Sequence, residues 1–156
     1  MARRSRPRVF FDTNVLFSAL HSPRGKPATL VRGGLAGEID MVISQEVISE
    51  LGRNLARKAP HLLGAMREAV LASAMEIVSD PPDEEIIRWR DAGLGTDTPI
   101  VAAAVLAEVD YLCTGDRRML DKALLIEGAG LRVVSPGQLV GALGGPAGPS
   151  GGRFPD

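Results

Sequence analysis

Four acids stand where chemistry could use them: Asp12, Glu50, Asp97 and Asp116. Two of them follow short apolar runs. Val9-Phe10-Phe11 leads into Asp12-Thr13-Asn14, and Tyr111-Leu112-Cys113-Thr114 leads through Gly115 into Asp116. Runs this short and apolar read as buried parallel strands. Asp, Thr and Asn then favour leaving the first strand by capping a helix, which Val15 to Leu20 would begin. Asp12 and Asp116 therefore fall at the carboxyl ends of strands, where open α/β sheets bind their ligands.

Helical geometry selects the third acid. Ser44 is a ready N-cap, and after it Val47, Ile48, Leu51 and Leu55 recur on one apolar face. At about 100° per residue, Glu50 lies roughly 115° from the centre of that face, on the border between core and water. Glu46 lies roughly 155° away, on the solvent side. A carboxylate reaching over a strand end belongs on the border, which favours Glu50. Asp97 precedes Thr98-Pro99 and the apolar run Ile100 to Val109. Pro99 suits a first helical position, making Thr98 the expected cap and Asp97 the residue before it. Two readings stay open for Asp97: an N-cap itself or a favourable charge near the helix start, or a ligand in the same cleft.

Carboxylates gathered in one cleft repel, so they either take up protons or bind a cation. Acid oxygens without Cys or His suit Mg²⁺ or Mn²⁺, not Zn²⁺. His21 and His61 lie too far apart in sequence to suggest a metal pair, and His21 reads as incidental. A hard divalent ion can activate water and clamp the attacking and leaving oxygens of a phosphodiester. The chain has no GxxxxGK[ST] loop, GxSxG elbow or GxGxxG fingerprint to support other chemistry.

Between the acids the chain alternates apolar strands and helices. Strands are expected at residues 9–11, 39–43, 76–78, 111–114 and 131–134. Helices are expected at residues 15–20, 27–36, after Ser44, 61–74, 84–89, 100–109, 117–123 and 136–143. That order predicts a three-layer α/β/α sandwich on a mainly parallel five-stranded sheet. Residues 8–143 make one domain; residues 1–7, with Arg3, Arg4 and Arg6, read together with Arg8 as a solvated basic arm. Residues 144–156, Gly- and Pro-rich, read as a disordered tail.

With 45% hydrophobic and only 4% aromatic residues, the core must be built from Leu, Val, Ile and Ala. The single cysteine, Cys113, cannot support a disulfide framework. No apolar run approaches the roughly 20 residues of a membrane span. A soluble cytoplasmic protein is expected. The net charge of -1 advertises no nucleic-acid partner by itself.

In Phe11-Asp12-Thr13-Asn14, Ser44 to Leu51, Asp97 to Ala104 and Thr114-Gly115-Asp116, the chain resembles the PIN-domain family. Within it, the pattern is similar to the toxin branch related to the VapC toxins of bacterial toxin–antitoxin pairs. The resemblance implies that Asp12, Glu50, Asp97 and Asp116 are the metal-binding acids. It implies that Thr13, Asn14 and Thr114 are polar residues supporting them. It further implies a Mg²⁺- or Mn²⁺-dependent endoribonuclease acting on single-stranded RNA, often a homodimer, with a cognate antitoxin covering the cleft. The chain departs from relatives at Gly93-Leu94-Gly95-Thr96, where they carry more charge, and no lysine obviously flanks the site. Two other readings remain: a non-catalytic PIN-like module binding RNA or protein, and a phosphatase using Asp12 as nucleophile. The second is disfavoured by Asn14, since such sites want another acid at that place.

Overall fold

The computed structural model describes residues 6–72 and 75–144. Five strands form one parallel sheet: β1 (Arg8–Phe11), β2 (Asp40–Ser44), β3 (Glu76–Val78), β4 (Tyr111–Cys113) and β5 (Arg132–Val134), in the order β3-β2-β1-β4-β5. The chain therefore moves from β1 outward to β2 and β3, then crosses to the other side of β1 for β4 and β5. The strand order reverses between β1 and β4, and that reversal opens a crevice above their carboxyl ends.

The helices, among the described residues, are α1 (Thr13–His21), α2 (Lys26–Leu35), α3 (Gln45–Lys58), α4 (Leu63–Ala72), α5 (Asp83–Asp91), α6 (Thr98–Leu106), α7 (Arg117–Asp121), α8 (Ala123–Glu127) and α9 (Pro136–Gly144). The layered parallel sheet expected from the alternating pattern is present. Phe10 and Phe11 are wholly buried in β1, as are Val42 in β2 and Leu112 in β4. Burial stabilises each such side chain by roughly 1.5–3 kcal/mol.

Local differences from the sequence expectation have physical causes. The helix expected at residues 117–123 is two short helices with a break at Lys122, so α8, carrying Leu124-Leu125-Ile126, was not foreseen. The helix expected at residues 61–74 begins with a 3₁₀ turn at Pro60–Leu62, and α4 buries no residue fully. Residues 73–74 lie outside the described residues. So do Arg3, Arg4 and residues 145–156 of the expected tail.

The basic arm is only partly solvated. Arg8 forms a two-pronged pair with Glu76 (2.6 and 3.0 Å), and its Nε donates to the Ala107 carbonyl at 2.9 Å. Arg6 pairs with Asp40 at 2.9 Å. Both arginines are tied to the amino edge of the sheet, opposite the carboxyl-end crevice. On α2, Gly34 lies against the buried side chain of Met41, where an added Cβ would overlap the thioether. No helix among the described residues is long and apolar enough to cross a membrane.

Candidate active site

Asp12 leaves β1 and directly caps α1. Its Oδ1 accepts from the Thr13 amide at 2.8 Å, which lets the helix start two residues earlier than Val15. Its Oδ2 accepts from the Thr114 hydroxyl at 2.8 Å and from Asn14 Nδ2 at 3.1 Å. Thr114 is fully buried, and its hydroxyl also accepts the Asp116 amide at 3.0 Å. Asn14 Oδ1 accepts from the Gly115 amide at 2.8 Å, stitching the exit of β1 to the exit of β4. A Cβ on Gly115 would stand 3.1 Å from that Asn14 oxygen, so the close approach favours glycine.

Asp12, Glu50, Asp97 and Asp116 line one cleft of about 390 Å³ over these strand ends. Glu50 is half-buried on the border of α3, as the helical angle indicated. Arg53 pairs with Glu46 at 3.3 Å, not with Glu50. Asp97 takes the N-cap position of α6 that was expected for Thr98, so the helix begins one residue earlier, with Thr98 inside it. Its carboxylate makes no capping hydrogen bond, whereas the Thr98 hydroxyl donates to the Gly95 carbonyl at 2.6 Å. Asp97 thus holds the N-cap position without a side-chain capping bond, and it lines the cleft.

The cleft is electrostatically frustrated. Burial raises Asp12 above the usual carboxylate range, partly opposed by the Thr114 and Thr13 donors, with Asp97 and Asp116 raising it further. Burial also raises Glu50, reinforced by Asp12 and Glu46. Burial raises Asp97, helped by Asp116. The Thr13 hydroxyl is buried without a hydrogen-bond partner at ordinary distance, yet it favours the charged form of Glu50. An all-oxygen set of acids in which Asp12, Glu50 and Asp97 are raised by burial and by neighbouring carboxylates fits a hard divalent cation, which would relieve the repulsion. Asp116 is partly engaged elsewhere: Oδ1 accepts from the Arg118 amide at 2.9 Å, and Oδ2 lies 3.6 Å from its guanidinium. Among the described residues, no three His, Cys, Asp or Glu side chains are drawn together closely enough to hold an ion as they stand.

Sequence reasoning found no flanking lysine. The folded chain brings Lys58 and Arg118 to the cleft, together with Phe17, Ser18 and Asn54. The signal was present in the helical wheel. Asn54 and Lys58 follow Glu50 at i+4 and i+8, and Phe17 and Ser18 follow Asn14 at i+3 and i+4.

The PIN domain family model matches residues 8–118, which span all four acids. The chain belongs to the PIN-domain family. PIN domains are generally nucleases that use divalent metals. The fold is shared with solved structures of low sequence identity. PAE2754 from Pyrobaculum aerophilum is 18% identical over 91% of this chain and 98% of that one, with a TM-score of 0.59. VapBC2 from Rickettsia felis, bound to a DNA fragment from their promoter, gives 17% identity over 82% of this chain and 98% of that one, with a TM-score of 0.59. No curated protein matches the chain.

Proposed function

We propose that this PIN domain is a Mg²⁺- or Mn²⁺-dependent endoribonuclease that hydrolyses single-stranded RNA. The observation that carries the reading is the meeting of four carboxylates from four separate elements in one cleft, at the reversal point of the sheet. Asp12, Asp97 and Asp116 would hold the cation, with Thr13, Asn14 and Thr114 fixing Asp12 and the β4 exit. A bound divalent ion supplies polarisation of a phosphate oxygen and of an attacking water. Glu50, its pKa raised by burial, would accept the proton of that water. The water oxygen forms a bond to phosphorus as the bond to the 3′ oxygen breaks, and that oxygen takes a proton from solvent. Lys58 and Arg118 offset the phosphate charge at the cleft mouth.

The test is end-group analysis of a labelled single-stranded RNA incubated with Mn²⁺ or Mg²⁺, and with chelator. Metal-dependent products with 5′-phosphate and 3′-hydroxyl ends support the reading. Cyclic phosphate ends, or cutting that survives chelation, contradict it.

The reading extends to the toxin of a toxin–antitoxin pair acting as a homodimer. The fold shared with the VapBC2 structure supports that branch. Growth arrest on expression, relieved by the product of a neighbouring reading frame, would bear it out; normal growth at full expression would count against it. Sedimentation would give the oligomeric state.

A further inference from the structure

Two helices flank the acids, and each presents a second stripe of chemistry. On α1, Asn14, Phe17, Ser18 and His21 recur at helical spacing, and on α3 so do Glu50, Asn54 and Lys58. Phe17, Asn54 and Lys58 line the same cleft as the acids. The Phe17 and His21 rings are stacked, with centroids 5.8 Å apart and planes at 13°. Lys58 Nζ stands 5.8 Å from the Phe17 centroid. Among the described residues Lys58 makes no ion pair, although the cleft is rich in acids. Phe17 is half-buried, whereas His21 and Lys58 are exposed.

A stacked aromatic pair on a helix surface is often only a local contact. Here aromatics are 4% of the chain, yet one projects into the acid cleft with a cation over its ring. A planar apolar surface, an ammonium and an amide beside a phosphodiester-cutting site have the chemistry of a nucleotide subsite. Aromatic rings stack unpaired bases, ammonium groups neutralise phosphate, and an amide can bond a base edge.

We propose that Phe17, His21, Asn54 and Lys58 form a subsite for one unpaired nucleotide beside the scissile phosphate. The base stacks on the aromatic strip and its phosphate faces Lys58. Duplex RNA keeps its bases paired and cannot offer that face, so the subsite selects single strands. The inference rests on the ribonuclease reading above and names how its substrate class is chosen.

The test measures binding apart from cutting. Fluorescence anisotropy is read on the full chain carrying Asp12→Asn, with a labelled single-stranded oligoribonucleotide and with an abasic strand of equal length. Adding His21→Ala, an exposed change that spares the core, should weaken binding of the intact strand roughly fivefold or more. It should change binding of the abasic strand less than about twofold. Lys58→Ala should weaken both strands alike and flatten the salt dependence. Phe17→Leu should follow His21→Ala. Equal binding of both strands by every variant, or duplex bound as tightly as single strand, overturns the subsite. Cleavage of RNA that is unchanged by His21→Ala and by Phe17→Leu in the chain that keeps Asp12 also removes the subsite while leaving the nuclease intact. The intact-versus-abasic pattern, found in a protein that never cuts, would keep the subsite and remove the nuclease.

Discussion

Thr114→Val probes the junction between the two strand ends. Valine matches threonine in shape but lacks the hydroxyl that donates to Asp12 Oδ2 at 2.8 Å and accepts the Asp116 amide at 3.0 Å. Thr114 is fully buried, so water cannot replace it easily. A hydrogen bond to a charged group is worth about 1.5–3 kcal/mol, which sets the expected loss of unfolding free energy near neutral pH without metal. The loss should depend on pH. Burial holds Asp12 above its ordinary pKa, and the Thr114 donor is the strongest influence pulling it back. Removing that donor raises Asp12 further. A group whose folded pKa is raised favours the folded state below its unfolded pKa, and that favour is lost as pH rises through the folded value. The variant should therefore lose most stability near neutrality and approach wild type as pH falls toward the ordinary carboxylate value of about 4. Urea unfolding in chelator at several pH values measures this. A loss below about 0.5 kcal/mol, or the same loss at every pH, would refute the role given to the hydroxyl.

The remaining predictions concern the acids together and the packing beneath them. Asp12, Glu50 and Asp97 are all held above the usual carboxylate range by burial and neighbouring charge, and they must ionise to hold a cation. Cleavage at fixed Mn²⁺ should thus rise with pH across a limb lying above about 4, and Thr114→Val should move that limb upward; a limb that stays in place in the variant would contradict it. Gly34→Ala sets a helix gain of about 1 kcal/mol against an overpacking cost of about 1–3 kcal/mol at Met41. Net destabilisation is expected in thermal unfolding, and Gly34→Ala should cost less when made on top of Met41→Ala than when made alone; a stabilised single variant would show that Met41 repacks freely.

Much of the architecture was legible because strands and helices here differ plainly in pattern. Val9-Phe10-Phe11 and Leu112-Cys113 are continuous apolar runs, as expected for strands covered on both faces. The apolar stripe of α3 placed Glu50 on a border that the fold preserves. What the sequence hid were features decided by tertiary contact. The break at Lys122 comes with its ammonium reaching the Gly93 carbonyl at 3.0 Å, a partner 29 residues away. Arg8 read as part of a free arm because its acid, Glu76, lies two strands away in the sheet. His21 read as incidental because it has no metal-spaced partner; α1 runs one residue past Leu20, which brings its ring onto Phe17. Asp97 kept two readings open because position alone cannot tell whether a carboxylate caps its helix or turns to the cleft.

The most direct test of the central claim is Mn²⁺-dependent cleavage of single-stranded RNA by wild type beside Asp12→Asn and Asp97→Asn, each checked for folding by circular dichroism. Each change removes one negative oxygen with little change in shape. Cleavage by wild type, lost in both folded variants, is the predicted result. Cleavage that persists in either folded variant would contradict the assignment of that acid, and persistence in both would place the activity outside this cleft.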